Sequence, residues 1–209
     1  MNFTLCVLSA FAVNFFGKCT GFRDFRSPYT YLGVVKKTTI KYLDFEVDKL
    51  TRSIENVKTG DSFATAVSLL LKDDLKNVNK KNGWKFNWKD EWRLNDREVY
   101  KLIIESSPEI IQAVVSLRIE ENFVYMPLIE SAPFNRGKDK VYLGAPGNLV
   151  AFACRLSFQR GFSGFVSFHA KTALIDHYTK SLGAVHHGGQ LMVIDSMAAG
   201  MLVEKYFKS

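Results

Sequence analysis

The sequence predicts a mixed α/β fold: a series of antiparallel β-hairpins, then a β-α-β-α run, with helices on both faces of one mixed sheet. Three observations predict it. Residues 98–105, 109–120 and 122–133 are runs rich in β-branched and aromatic residues, joined by links as short as "SSP" and "EN". Residues 148–160 place Leu149, Phe152, Ala153 and Leu156 at i, i+3, i+4 and i+7, the apolar stripe of a helix packed on a sheet. Strand-like and helix-like runs then alternate to the C-terminus, and a helical crossover into another strand makes the sheet mixed.

The elements follow in chain order. Residues 1–28 form an N-terminal extension that ends at the turn signal Ser27-Pro28, and residues 29–209 form one domain. Phe3 to Phe16 is apolar, but no Lys or Arg precedes it and it is short for a membrane span. A mistaken upstream start, an ordered extra segment and an export signal remain open for it. "YTYLGVV" (29–35) and "IKYLDFEV" (40–47) read as strands. "KTGD" (58–61) is a turn whose Asp61, or Ser62 after it, caps a helix over 62–81. Phe63, Ala66, Val67, Leu70 and Leu71 fall on one face of that helix, which Asn82-Gly83 ends.

Trp84, Trp88 and Trp92 follow at four-residue spacing among lysines. Two readings suit them: anchors packing this segment on the core, or a patch on which bases stack. After the three central strands come a loop (134–147), a helix (148–160) ended by Gly161, and a strand (162–168). A helix (171–182) closed by Gly183, a strand (190–194) and a helix (196–207) capped by Ser196 complete the chain.

Composition bounds the function. The chain of 209 residues is 47% hydrophobic and 23% charged, which suits an ordinary globular core. A net charge of +7 favours anionic partners such as phosphate ligands, acidic proteins or nucleic acid, without choosing among them. Cys6, Cys19 and Cys154 have neither disulfide-framework nor zinc spacing, and Cys154 lies within an apolar helical pattern. A cytoplasmic protein without membrane attachment and without a metal is expected. No G-x-S-x-G, Walker or H-E-x-x-H motif is present.

The stretch "GAPGNLVAFACRLSFQRGF" (144–162) carries the strongest chemical signal. A helix start leaves up to four N–H groups without internal partners, and the macrodipole adds partial positive charge. Gly144 and Gly147 remove Cβ bulk there, and Arg136, Lys138 and Lys140 lie just upstream. Together they suit a phosphate or diphosphate; a Gly/Pro turn that only redirects the chain is the alternative.

The order of elements, with "LIESAP" (128–133), "NRGK…GAPGNL" (135–149), "FSGFVSF" (162–168) and "YTKSLGA" (178–184), resembles the GNAT superfamily of acyl-CoA-dependent N-acyltransferases. The resemblance spans residues 98–207. It implies an N-acetyltransferase with acetyl-CoA as co-substrate and an amine-bearing small molecule or protein as acceptor. The strand ending at Ala132 would splay from strand 162–168. Backbone near Ile129 and Ser131 would hold the pantetheine arm, and Gly144, Ala145, Gly147, Asn148 and Leu149 the diphosphate. Tyr178 would protonate the departing thiolate, and Glu130 would take a proton from the amine. The residues alone leave two other roles open: Tyr178 as an aromatic packed on Leu182, and Glu130 as a structural carboxylate. His169, at a strand end facing the cleft, is an alternative base. The sequence departs from the family pattern in a longer 136–147 loop, in Ala184 and in Lys171. A catalytically inactive GNAT-like module that binds nucleic acid or an acidic protein is the second reading.

Overall fold

The computed structural model describes residues 40–45, 47–48 and 54–207. The expected strand at 29–35 and the extension at 1–28 lie outside them. Three short strands come early: β1 (Ile54–Asn56), β2 (Ser62–Phe63) and β3 (Thr65–Leu69). Two 3-10 turns, Lys72–Lys76 and Lys80–Asn82, lead to a five-residue helix α1 (Trp88–Trp92). Long antiparallel strands β4 (Glu98–Ile104), β5 (Ser107–Ile119) and β6 (Val124–Ser131) form the centre. β7 (Tyr142–Leu143), α2 (Ala145–Gln159), β8 (Val166–His169) and α3 (Ile175–Leu182) follow. β9 (Val185–His186), β10 (Leu191–Ile194) and α4 (Ser196–Phe207) end the described chain.

Seven of these strands make one sheet in the order β3-β4-β5-β6-β8-β10-β9. Every junction in it is antiparallel except β6 with β8. The sheet is therefore mixed, as the crossover through α2 requires. A larger core lies on one face, built from Val115, Leu117, Met126 and Phe168 of the sheet and from α2, α3 and α4. A second core lies on the other face, where Trp84 and Trp88 pack on Val99, Val114 and Leu128. Helices thus cover both faces of one mixed sheet, as the sequence predicts.

The early region corrects the sequence reading. Residues 62–81 are not a helix: Thr65–Leu69 is an edge strand paired with β4, and 3-10 turns follow it. Its residues are half-buried or exposed, so pairing to β4 outweighs the helical spacing of its few apolar side chains. In the expected strand 40–47, the described residues form no ladder and make a single parallel bridge, Leu43 to Ala170. Two short strands, β1 and β7, escaped the reading because they pair only with each other and with β2. The helix expected at 148–160 starts three residues earlier, behind Gly144 in the left-handed region (φ 89°) with Pro146 in its first turn. α4 is capped by Asp195, not Ser196: its carboxylate accepts the Ala198 N–H at 2.9 Å.

Candidate functional site

A bulge in β6 creates the site. Leu128 pairs with Ser116, but Tyr125 pairs with Arg118, so Met126 and Pro127 together oppose a single residue of β5. Proline is at home there because it has no N–H to give a ladder. The bulge reverses the facing of the strand. Val124 and Met126 join the larger core, as does Ile129 beyond the bulge, while Leu128 and Ala132 join the tryptophan core.

Beyond the bulge the two parallel strands separate. β6 and β8 pair only at Val124–Val166 and Tyr125–Ser167. The Ala132 N–H donates to Gln112 O of β5 at 2.9 Å. Backbone polarity alternates along a strand, so Ile129 and Ser131 turn their N–H and C=O toward the gap. The splay that the GNAT resemblance implies is therefore present.

A cleft of about 550 Å³ lies along this edge, lined on one side by Ile129, Glu130 and Ser131 and on the other by Asp44, Phe45 and Asp48. Lys85, Arg136, Lys138 and Lys140 bring cations to it. The loop that carries three of these cations is itself held down. Asn135 donates to the Gln112 side chain at 3.0 Å and accepts the Tyr142 N–H at 3.2 Å, and β7 pairs with β1. Gly137, at φ 75°, borders the cleft with open space around it.

The α2 N-terminus is less exposed than expected. Gly144, Ala145, Gly147, Asn148 and Leu149 are all buried. The Gly144 N–H donates to Asp48 Oδ1 at 2.9 Å, and Asp48 Oδ2 receives Lys140 Nζ at 2.8 Å. Asn148 ties the turn to itself through Nδ2 on Gly144 O at 2.9 Å and accepts from the Thr65 hydroxyl at 3.2 Å. Pro146 has no N–H to offer an anion. Gly137 borders the cleft, whereas the Gly144 N–H is covered by Asp48 and Gly147 is buried.

Tyr178 and Glu130 are both fully engaged. The buried Tyr178 hydroxyl donates to Phe45 O at 2.9 Å and accepts the Phe45 N–H at 3.2 Å. One residue before it, His177 Nε2 accepts the Val47 N–H at 2.8 Å. Glu130 is 4% exposed and accepts from Lys85 N at 2.7 Å, Phe86 N at 3.3 Å, Trp88 Nε1 at 2.9 Å and Arg136 Nη1 at 2.7 Å. Its two oxygens hold the tryptophan segment to the sheet. Trp92, by contrast, is partly exposed and donates to Leu70 O at 2.9 Å.

A second cleft of about 550 Å³ opens beside the same strand junction, lined by Glu91, Arg97, Arg118, Tyr125, Ser167 and His169. Glu91 is 2% exposed, pairs with Lys41, and accepts from Arg97 Nε at 3.2 Å and Ser116 Oγ at 2.8 Å. The Tyr125 hydroxyl lies 3.1 Å from His169 Nδ1, and Arg118 stacks over the Tyr125 ring at 4.9 Å. Burial lowers the His169 pKa from its usual value because it disfavours the charged ring. Burial also raises the Tyr125 pKa.

The sequence reading missed Asp48, Lys85 and Glu91. Asp48 and Gly144 are remote in the chain, and no local spacing links them. A signal for Glu91 was available: it lies three residues after Trp88 and one before Trp92, where an anchored segment carries an acid inward. His186 ends the exposed strand β9 and His187 follows in the β9–β10 turn, with His186 Nε2 3.0 Å from Gly189 O. Among the described residues no group of three or more His, Cys, Asp or Glu side chains is arranged to hold a metal ion. No described helix is long and apolar enough to cross a membrane.

No family model matches the chain, and no curated protein matches it. Among solved structures it is similar to the spermidine/spermine N-acetyltransferase SpeG from Vibrio cholerae in mutant form (15% identity, TM-score 0.49), covering 66% of this chain and 96% of that one. It is similar to AtaTR bound with AcCoA (16%, 0.47), covering 66% and 97%. It is also similar to the ribosomal-protein-S18-alanine N-acetyltransferase from Escherichia coli (14%, 0.43), covering 62% and 90%.

Proposed function

We propose that the chain is an acetyl-CoA-dependent N-acetyltransferase. One observation carries the reading: β6 and β8 separate beyond Tyr125 and Ser167, leaving a cation-rich cleft along the backbone of Ile129 and Ser131. In this reading those backbone groups hold the pantetheine arm as an added strand would be held. Arg136, Lys138 and Lys140 hold the diphosphate, with Gly137 giving close backbone approach and the turn from Gly144 to Leu149 behind it. Acetyl-CoA supplies an activated thioester; the chain orients it and manages protons. Tyr178 stands beside the gap as the proton donor to the thiolate, once its hydroxyl leaves Phe45.

The acceptor amine enters the second cleft. His169, whose charged form burial disfavours and which is hydrogen-bonded to Tyr125, suits the removal of its proton. Glu130 keeps a positioning role, since four donors already occupy it. Isothermal titration with acetyl-CoA and with CoA tests the reading. Saturable binding supports it; folded protein with no heat at about millimolar ligand overturns it.

A second reading, binding without catalysis, is favoured by the covered Tyr178 and the covered α2 start. Salt-dependent retention on nucleic acid, with no turnover of acetyl-CoA, would support that reading instead.

A further inference from the structure

We infer that the acceptor is a free α-amino acid with a large apolar side chain, acetylated on its α-amino group and held by Arg118 through its carboxylate. The inference rests on the acetyl-CoA reading above and names the substrate of that site.

The pairing register puts the recognising groups on one face of the sheet. Arg118 of β5 is opposite Tyr125 of β6, Tyr125 is opposite Ser167 of β8, and Ser167 is opposite Val193 of β10. Directly paired residues turn their side chains to the same face, so these four make one row across four strands. His169 and Leu191 pair with each other two places along and make the next row on that face. Arg118, Tyr125, Ser167, His169 and Leu191 all line the second cleft.

The charge left free in this cleft is positive. Among the described residues that line it, Glu91 is the one carboxylate. Both of its oxygens are taken, one by Lys41 and the other by Arg97 and Ser116, so an acceptor with a second ammonium meets no open acid. Arg118 is placed differently. Its Nε pairs with Glu120 and its guanidinium stacks over the Tyr125 ring at 4.9 Å, which fixes the fork. Its two Nη groups have no partner among the described residues. Such a fork matches a carboxylate in geometry and charge. The same tyrosine reaches the base, with its hydroxyl 3.1 Å from His169 Nδ1. Cation and base flank one side chain, a spacing that suits a carboxylate and an amine on a single carbon.

A third cleft of about 550 Å³ adjoins the second, and Phe123, Ser167 and Leu191 line both. Phe165 and Val193 extend its apolar wall. Phe123, Leu191 and Val193 are half-buried and Phe165 is exposed, and none of the four belongs to either core. An apolar substituent set against them would leave water and cover that wall. On transfer the amine nitrogen bonds the acetyl carbon as the C–S bond breaks. His169 takes the proton that the nitrogen loses, and the thiolate gains one from Tyr178; carboxylate and side chain are unchanged.

Release of CoA from acetyl-CoA, followed through its thiol, tests this with four amines: L-phenylalanine, phenethylamine without the carboxylate, glycine without the side chain, and spermidine. The unaltered chain is compared with Arg118→Met, with circular dichroism to confirm folding. The expected kcat/KM for L-phenylalanine exceeds that of each other amine by about tenfold or more. Arg118→Met lowers it about 10- to 100-fold and leaves phenethylamine unchanged. Any of the other three amines used as well as L-phenylalanine, or an unchanged preference in folded Arg118→Met, overturns the inference. A chain that binds acetyl-CoA in the calorimeter yet releases no CoA with L-phenylalanine also overturns it and leaves the cofactor reading standing. No heat with acetyl-CoA overturns the cofactor reading and this inference with it. Should Arg118→Met fail to fold, the four amines on the unaltered chain decide.

Discussion

Tyr178 and Phe45 are joined twice through one hydroxyl, which donates at 2.9 Å to the Phe45 carbonyl and accepts at 3.2 Å from its N–H, with the two rings 5.1 Å apart. Tyr178→Phe keeps the ring and removes both bonds. It leaves the Phe45 peptide buried with fewer partners, so the chain loses about 1–3 kcal/mol of stability. The urea midpoint measures this. On the proposed function the same substitution also slows acetyl transfer while acetyl-CoA binding persists.

Glu130→Ala removes the shared acceptor of Lys85, Phe86, Trp88 and Arg136. Breaking a buried pair on one side costs about 3–5 kcal/mol. Trp88 loses its partner and gains water, so intrinsic fluorescence shifts to the red and the thermal midpoint drops. Glu130→Gln retains acceptors for the tryptophan segment and has a smaller effect on both measures.

His169 gives stability a pH dependence of known sign. Its folded pKa lies below the usual 6.5 because burial disfavours the charged ring. The unfolded chain therefore binds more protons as pH falls through about 6.5, and stability declines toward the lowered folded value. Urea midpoints at about pH 7.5 and about pH 5.5 should differ more in the unaltered chain than in His169→Gln.

Gly164→Ala fails for two reasons. Gly164 holds φ +85°, and a Cβ there would lie 2.5 Å from Phe158 and 2.8 Å from Ala199. Overpacking of this kind costs about 1–3 kcal/mol, beyond the backbone strain. The thermal midpoint of Gly164→Ala should fall well below that of Gly161→Ala, which shares the positive φ but meets nothing within 4 Å.

Cys154 lies wholly inside the larger core, and burial pushes its thiol pKa up. Mass mapping after iodoacetamide should find the Cys154 peptide unlabelled in the native chain and labelled after denaturation.

The central strands and α2 were legible because each buries a complete face and so must repeat its apolar residues at a fixed period. β4 and β6 fall within their expected runs, β5 begins two residues before its own, and α3 ends at the expected Gly183. β3 was misread because an edge strand buries little, and its apolar residues fit two periods at once. The site was legible only in part. Ile129, Ser131, Arg136 and Tyr178 lie on elements that sequence order arranges. Phe45, which engages Tyr178, Asp48, which engages Lys140 and Gly144, and Lys85, which engages Glu130, arrive from segments that are remote in the chain. No periodicity encodes which extended segment fills a gap between diverging strands.

The doubled position at Met126–Pro127 also constrains how the chain can change length. Removing either residue would restore a regular ladder and rotate the strand beyond it by one place. The carboxylate of Glu130 would then enter the apolar interior beside α2, and Ile129 would be thrust among the indoles. Chain length at this point is therefore as tightly specified as any side chain in the cleft, and insertions or deletions belong in the outer turns instead.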